Sequence, residues 1–165
     1  MDEKQQQEQT DKFRSLVKKI KTCILVTHSD GNVLKGRPMA TAGLDDDNTL
    51  WFFTNEFSEK SIEIADESQV LLTYADASEN TYLTVTGNAI ITSDKAMLAK
   101  LYTPAVKVWF PEGLDDPRLA LLKVTPAEIE YWDNTSSKIV ILFQMLKSIV
   151  TGNEFKEGEH GKLEM

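Results

Sequence analysis

Short β-rich stretches recur along most of this chain, most of them separated by polar turn residues, and that rhythm restricts the available folds more than any other feature. The stretches are Thr22 to Thr27, Val33 to Gly43, Thr49 to Thr54, Gln69 to Ala75, Tyr82 to Thr92, Leu119 to Val124 and Glu128 to Trp132. Between the first three stand Ser29-Asp30-Gly31-Asn32 and Asp45-Asp46-Asp47-Asn48, compact connectors of residues that tolerate tight turns. These strands are therefore expected to form an antiparallel meander. In the fifth stretch Thr81, Leu83, Val85 and Gly87 alternate with Tyr82, Thr84, Thr86 and Asn88, and Gly87 is expected to mark a bulge or a close backbone approach.

Helical periodicity is confined to four segments. Phe13, Leu16, Val17 and Ile20 share one face, with Lys12, Arg14, Lys18 and Lys19 on the other, so a surface helix precedes the strands. Serines at 58 and 93 open two short helices, with Ile62 and Ala65 facing inward in one and Met97, Leu98 and Leu101 in the other. Ile139, Val140, Leu142, Phe143, Leu146, Ile149 and Val150 mark a fourth, with an apolar arc too wide for a lone exposed helix and Gly152 as its C-cap. Strands and helices are segregated and lack the strict alternation of a parallel sheet. The expected class is α+β: an antiparallel β-barrel with flanking helices, a single domain over residues 1–165 with its Gln-rich start, residues 1–9, frayed.

The balance of 26 acidic against 18 basic side chains, a formal charge of −8, argues against nonspecific attraction to nucleic acid or to an anionic membrane. A small anion can still bind where a few cations and backbone donors converge, because distant charges are screened. Cys23 is the one cysteine, so no internal disulfide forms and a zinc site with two thiolates from one chain is excluded. The polar start lacks a signal-type segment and no apolar run reaches the roughly 18 residues a membrane helix needs. A cytoplasmic setting is expected.

The most informative stretch runs from Trp51 to Ile64, where an apolar strand ends at Thr54 and Ser58-Glu59-Lys60-Ser61 opens a helix after a brief turn. Helix N-termini present unpaired N–H groups and a positive dipole end, so Thr54, Ser58, the helix start and Lys60 together suit a phosphate. Taken alone, the same pattern is also that of a plain N-cap followed by a solvated lysine. In Lys35-Gly36-Arg37-Pro38-Met39-Ala40, basic residues interrupt an apolar strand and Pro38 favours an edge or bulge. Arg37 there suits a bidentate phosphate contact and the Pro38-Met39 backbone a flat ring, the alternative being an outward arginine beside an edge proline. His28 and His160 are too isolated for a metal set or catalytic dyad, Cys23 reads as a small buried hydrophobe, and the Asp45-Asp46-Asp47 run lacks calcium-loop spacing. No metal is expected, and no catalytic residue is identified.

With these residues assembled, the chain resembles the FMN-binding split barrels of the pyridoxamine 5'-phosphate oxidase-like superfamily, in particular the bacterial general stress protein branch. The resemblance is carried by the leading helix, Arg37-Pro38-Met39, Phe52-Phe53-Thr54-Asn55 followed by Ser58-Glu59-Lys60, the strand through Thr86-Gly87, and Ala127-Glu128-Ile129-Glu130-Tyr131-Trp132-Asp133. It implies that Lys60 and Arg37 meet the flavin phosphate, that Thr54 and Ser58 add hydroxyl hydrogen bonds, and that Phe53 lies near the ring or ribityl chain. It also implies a homodimer with two flavin sites at the subunit interface, which Trp109 or Trp132 approaches from the second subunit, although tryptophan equally fills cores and interfaces. The cofactor implied is FMN, with FAD, haem and deazaflavin as variants among related barrels. The arginine-rich C-terminal substrate motif of the pyridoxamine phosphate oxidases is missing, so vitamin synthesis is not expected. What remains is a flavin-dependent oxidoreductase or a noncatalytic flavin sensor or store.

Overall fold

The computed structural model describes residues 3–133 and 159–164. Their elements run α1 (Glu3–Ile20), β1 (Thr22–Ser29), β2 (Val33–Leu44), β3 (Leu50–Asn55), α2 (Glu59–Asp66), β4 (Gln69–Asp76), β5 (Thr81–Thr92), α3 (Lys95–Leu101), β6 (Leu119–Asp133) and β7 (Glu159–Glu164). Every strand pairing is antiparallel, in the order β3-β2-β1-β4-β5-β6-β7. β3 also pairs back onto β6, from Leu50 against Val124 to Asn55 against Leu119, which closes the first six of these strands into a barrel. The expected α+β split barrel with flanking helices is the observed fold.

The two polar connectors turn as their residues require. Gly31 and Asn32 take φ values of 73° and 65°, and Asn48 takes 66°, the left-handed region in which glycine and asparagine are the least strained. β6 departs from expectation: the two strands expected at 119–124 and 128–132 are one strand of fifteen residues. Thr86 pairs with Glu128 while Gly87 pairs with Pro126, so Ala127 is an extra residue, and this bulge carries the strand past a proline that has no ladder N–H to give. A Cβ at Gly87 would lie 2.4 Å from the Thr125 carbonyl oxygen, which is why this position is glycine. β7 was not expected at all; its polar sequence pairs with the far half of β6, from Glu128 against Glu164 to Asp133 against Glu159.

Alternation along the strands divides the molecule into an interior and a wall. Leu25, Leu50, Phe52, Leu72, Leu83, Val85, Leu122 and Ile129 are fully buried, together with Phe13 and Val17 of α1, which seals the barrel. Each such side chain contributes about 2 kcal/mol relative to exposure. A second cluster outside the wall joins Trp51, Leu119 and Leu121 to Leu98 of α3 and to Val106 and Phe110. α1 begins at Glu3 and includes the Gln-rich segment, where Gln7 donates to Asp11 at 2.9 Å. The cap of α3 is Asp94, not Ser93: its carboxylate accepts the Met97 N–H at 2.9 Å, and a full charge suits the positive helix end better than a hydroxyl. The helix expected over residues 139–150, and its Gly152 cap, lie outside the described residues.

The close passage at Gly87 gives a direct check on this closure. Gly87→Ala is expected to cost about 1 to 3 kcal/mol, because backbone and not a flexible side chain stands in the way of the added methyl. A urea midpoint equal to that of the unmodified chain would show that the bulge in β6 yields instead.

Candidate functional site

β2 is joined to strands unequally along its two edges. Val33 to Ala40 pair with β1, whereas β3 meets β2 only from Thr41 to Leu44, across a register shift. The first half of β2 therefore keeps an unpaired edge among the described residues, and Pro38 sits on it, where a missing N–H is harmless. β3 ends nearby in a tight turn: the Asn55 carbonyl accepts the Ser58 N–H at 3.1 Å and the Ser61 hydroxyl at 2.9 Å, and Asn55 Oδ1 accepts the Phe57 N–H at 2.9 Å. That turn launches α2, whose Ile64 reaches the barrel core. The inward face of α2 is Ser61, Glu63 and Ile64, and the expected inward residues Ile62 and Ala65 are exposed.

A buried glutamate can face inward here because its partners come from two strands. Glu63 Oε2 lies 2.7 Å from the Thr27 hydroxyl that donates to it and 2.9 Å from Arg37 Nη1, while Oε1 accepts Arg37 Nη2 at 3.1 Å. Arg37 Nη1 also donates to Thr27 Oγ1 at 2.8 Å, and Lys35 Nζ stands 3.5 Å from Glu63. The Arg37 guanidinium holds the Glu63 carboxyl below its ordinary pKa, against the opposing effect of burial. Glu59, one turn earlier, accepts a hydrogen bond from Lys35, which lowers its pKa and raises that of the lysine. β1, β2 and α2 are thus tied by charge at one end of the barrel.

Lys60 stands beside this network without joining it. Burial, and then the nearby positive charge of Arg37, push its pKa below the ordinary lysine value. Among the described residues its ammonium makes no ion pair. Thr54, at the end of β3, is 3% exposed, and its buried Oγ1 has no hydrogen-bond partner. Such an orphan is uncommon in native structures and calls for a ligand or a water. Ser58 is the N-cap residue of α2, but its hydroxyl meets the Ser61 hydroxyl at 3.0 Å and makes no cap bond. The first N–H groups of α2 have no intrahelical partner, as at any helix start. The residues present fit an anionic group: two cations held close together, orphaned donors and an open strand edge.

Arg37, Thr54, Ser58 and Lys60 therefore gather around the start of α2. Pro38 is exposed on the strand beside them, whereas Met39 packs against the main core. Phe53 lies on the outer side of β3 against the second cluster. Trp109 is 78% exposed between Val108 and Phe110, and Trp132 is 38% exposed at the opposite end of β6 from Leu119, paired with Tyr82. The sequence reading overlooked Thr27, Glu59 and Glu63. A signal for them existed: Glu59 and Glu63 are one helical turn apart, and Lys35 and Arg37 are two apart on a strand, so each pair shares a face.

Other chemistry is poorly supported. No group of three or more His, Cys, Asp or Glu suited to a metal occurs among the described residues. Asp45 is occupied by Trp51 Nε1 at 2.8 Å and Lys100 at 3.2 Å, and Asp46 by Arg14 at 3.2 Å. Burial pushes the Cys23 thiol up to about 12, so it is no nucleophile. A cavity of about 710 Å³ runs between the Asp30–Asn32 turn and α2, with His28, Lys35, Glu59, Glu63 and Asp66 in its wall. No helix among the described residues is long and apolar enough to cross a membrane.

Known proteins agree with this architecture. The family described as "Pyridoxamine 5'-phosphate oxidase like" matches residues 8–156. Protein bli-3 of Neurospora crassa is 24% identical over 128 residues, covering 72% of this chain and 61% of that protein, so the chain spans about three fifths of this curated relative. The general stress FMN/FAD binding protein of Xanthomonas citri is 25% identical with a TM-score of 0.69, over 79% of this chain and 92% of that one. General Stress Protein 26 of Bacillus anthracis is 23% identical with a TM-score of 0.66, over 73% of this chain and 91% of that one. A match across nearly the whole length, on a closed antiparallel barrel with its cations at the start of α2, makes this chain a member of the pyridoxamine 5'-phosphate oxidase-like family.

Proposed function

We propose that this chain is a flavin-binding protein of the general stress type that takes FMN, works as a homodimer in the cytoplasm and serves as a flavin-dependent oxidoreductase. The observation that carries the reading is Lys60, a partly buried ammonium beside Arg37 with no ion pair among the described residues. A cation in that position is matched by an anion from outside the chain. The terminal phosphate of FMN is largely dianionic at neutral pH and meets both cations, with the Thr54 and Ser58 hydroxyls and the α2 N–H groups as further donors. The adenylyl diphosphate of FAD spreads its charge over two phosphorus atoms and suits one compact pocket less well.

The ring then lies along the open edge of β2, against the Pro38-Met39 backbone, with Phe53 backing β3 from behind. The bound flavin supplies hydride or electron transfer at its ring. The chain holds the phosphate and fixes the ring against the strand. Ile24, Leu34, Tyr82 and Trp132 are exposed on the barrel wall, an apolar surface suited to a second copy, and the exposed faces of Trp109 and Trp132 suit contact with a flavin in the partner subunit. The Xanthomonas citri relative, described as binding FMN or FAD, supports the choice of cofactor class. The single cysteine supports the reducing compartment.

A noncatalytic flavin sensor or store is the second reading. It is favoured by the fact that Glu59, Glu63, Arg37 and Lys35 neutralise one another, so none of them is presented as a free acid or base.

Purified protein is expected to be yellow, and Lys60→Ala to weaken FMN binding about tenfold to a hundredfold, the loss of one charge-assisted contact. Protein with no flavin absorbance and no affinity for FMN or FAD would remove the reading, and a haem or deazaflavin spectrum would redirect it. Because only the charged ammonium attracts phosphate, FMN affinity falls as pH rises through a Lys60 pKa that lies below the ordinary lysine range. Lys60→Arg is expected to flatten that alkaline limb. Reduction of the bound flavin by NADH or NADPH, followed by reoxidation with oxygen or a quinone, separates the oxidoreductase from the sensor: no turnover with either donor leaves binding alone. Sedimentation equilibrium is expected to give twice the 18.6 kDa chain mass, and a monomer at micromolar concentration would remove the dimer.

A further inference from the structure

The Arg37 guanidinium has two usable edges. Its Nη1 and Nη2 fork is spent on Glu63 and Thr27, at 2.8 to 3.1 Å. A guanidinium carries five N–H groups in a fixed plane, so Nε–H and the second Nη2 proton project along the remaining edge, the pair that grips a carboxylate or phosphate side-on. Among the described residues no hydrogen bond leaves that edge. Glu59 comes nearest: its Oε2 stands 3.6 Å from Nη2, beyond hydrogen-bond range, while its Oε1 is held by Lys35.

The two glutamates differ in how they are held. Glu63 is 7% exposed and bound by Thr27 and Arg37, so releasing it strands a buried charge. Glu59 is 66% exposed at the first position of α2, and an ion pair at such a surface opens at little cost. The cavity between α2 and the Asp30–Asn32 turn has Glu59 in its wall, which gives the released side chain room. With Glu59 in place, Lys35 and Arg37 face two carboxylates, and with Lys60 beside Arg37 the group keeps a single net positive charge. Once Glu59 swings away, two positive charges remain, the match for a dianionic phosphate monoester.

We propose that Glu59 is a displaceable internal counter-ion, guarding the open edge of Arg37 and the Lys35 ammonium until a phosphate dianion takes its place. It sets a threshold of charge: a monoester dianion displaces it, and singly charged anions do not. This inference rests on the flavin-phosphate reading above and assigns Glu59 a role in selecting the ligand, not in holding it.

The test compares FMN with riboflavin, which has the same ring and no phosphate, by fluorescence quenching on the full chain. Glu59→Gln removes the charge at nearly constant shape and is expected to bind FMN about two- to fivefold tighter, with riboflavin unchanged. Glu59→Ala serves as the second variant and is expected to move in the same direction. If FMN affinity is unaltered or weaker in both, or riboflavin tightens equally, the counter-ion role is overturned while the flavin site stands. If the unmodified chain binds neither flavin, the flavin reading fails and this inference falls with it.

Discussion

The backbone of β6 must be satisfied along both edges, and the way it achieves this decides the rest of the molecule. One edge pairs with β5 over nearly the full length, while the other is shared between β3 and β7. Pairing with β3 closes the barrel, and pairing with β7 continues the sheet beyond it. The long register with β5 survives because Ala127 bulges out and because Gly87 has no Cβ to strike the Thr125 carbonyl. Once β3 is committed to β6, it meets β2 only near Thr41 to Leu44. An unpaired stretch of β2 follows directly from this closure, and α2 is delivered beside it by the turn at the end of β3.

The charges at that end are held in place by burial as much as by attraction. Glu63 is nearly inaccessible, and a buried carboxylate is tolerable only when it is fully hydrogen-bonded. Thr27 and Arg37 meet that demand, so they are drawn together from β1 and β2, and Lys35 stands close behind them. The cost of the buried carboxylate thereby becomes an orienting force on Arg37, whose free edge is turned away from Glu63. Among the described residues Lys60 has no ion pair and the Thr54 hydroxyl no hydrogen-bond partner, a cation and a hydroxyl whose natural complement is an anion.

Membership of a family does not by itself assign chemistry, because related barrels differ in the few side chains around their sites. Here the chain matches the family over residues 8–156, which fixes the barrel and leaves the chemistry to its side chains. The proposed function therefore rests on local groups at the start of α2. The exposed tryptophans are a different matter: Trp109 follows the short helix before β6, whereas Trp132 sits near the end of β6.

Much of the architecture was legible in the order of residues. β-rich stretches mark six of the strands, Gly87 marks the bulge or close approach, and the polar quartets at 29–32 and 45–48 mark the turns, while Lys60, Arg37, Thr54 and Ser58 stand out in the sequence by residue type and position. These features are local, since turn propensity, strand pleat and helix capping depend on near neighbours in the chain. The continuity of β6 through Pro126, the addition of β7 and the inward turn of Glu63 were not legible, because each is decided by a partner distant in sequence. A proline reads as a break until a bulge accommodates it, and a glutamate reads as solvated until an arginine from another strand removes the penalty of burying it. Sequence thus determined which groups are available, and tertiary structure alone determined which of them are already paired and which are left to bind something else.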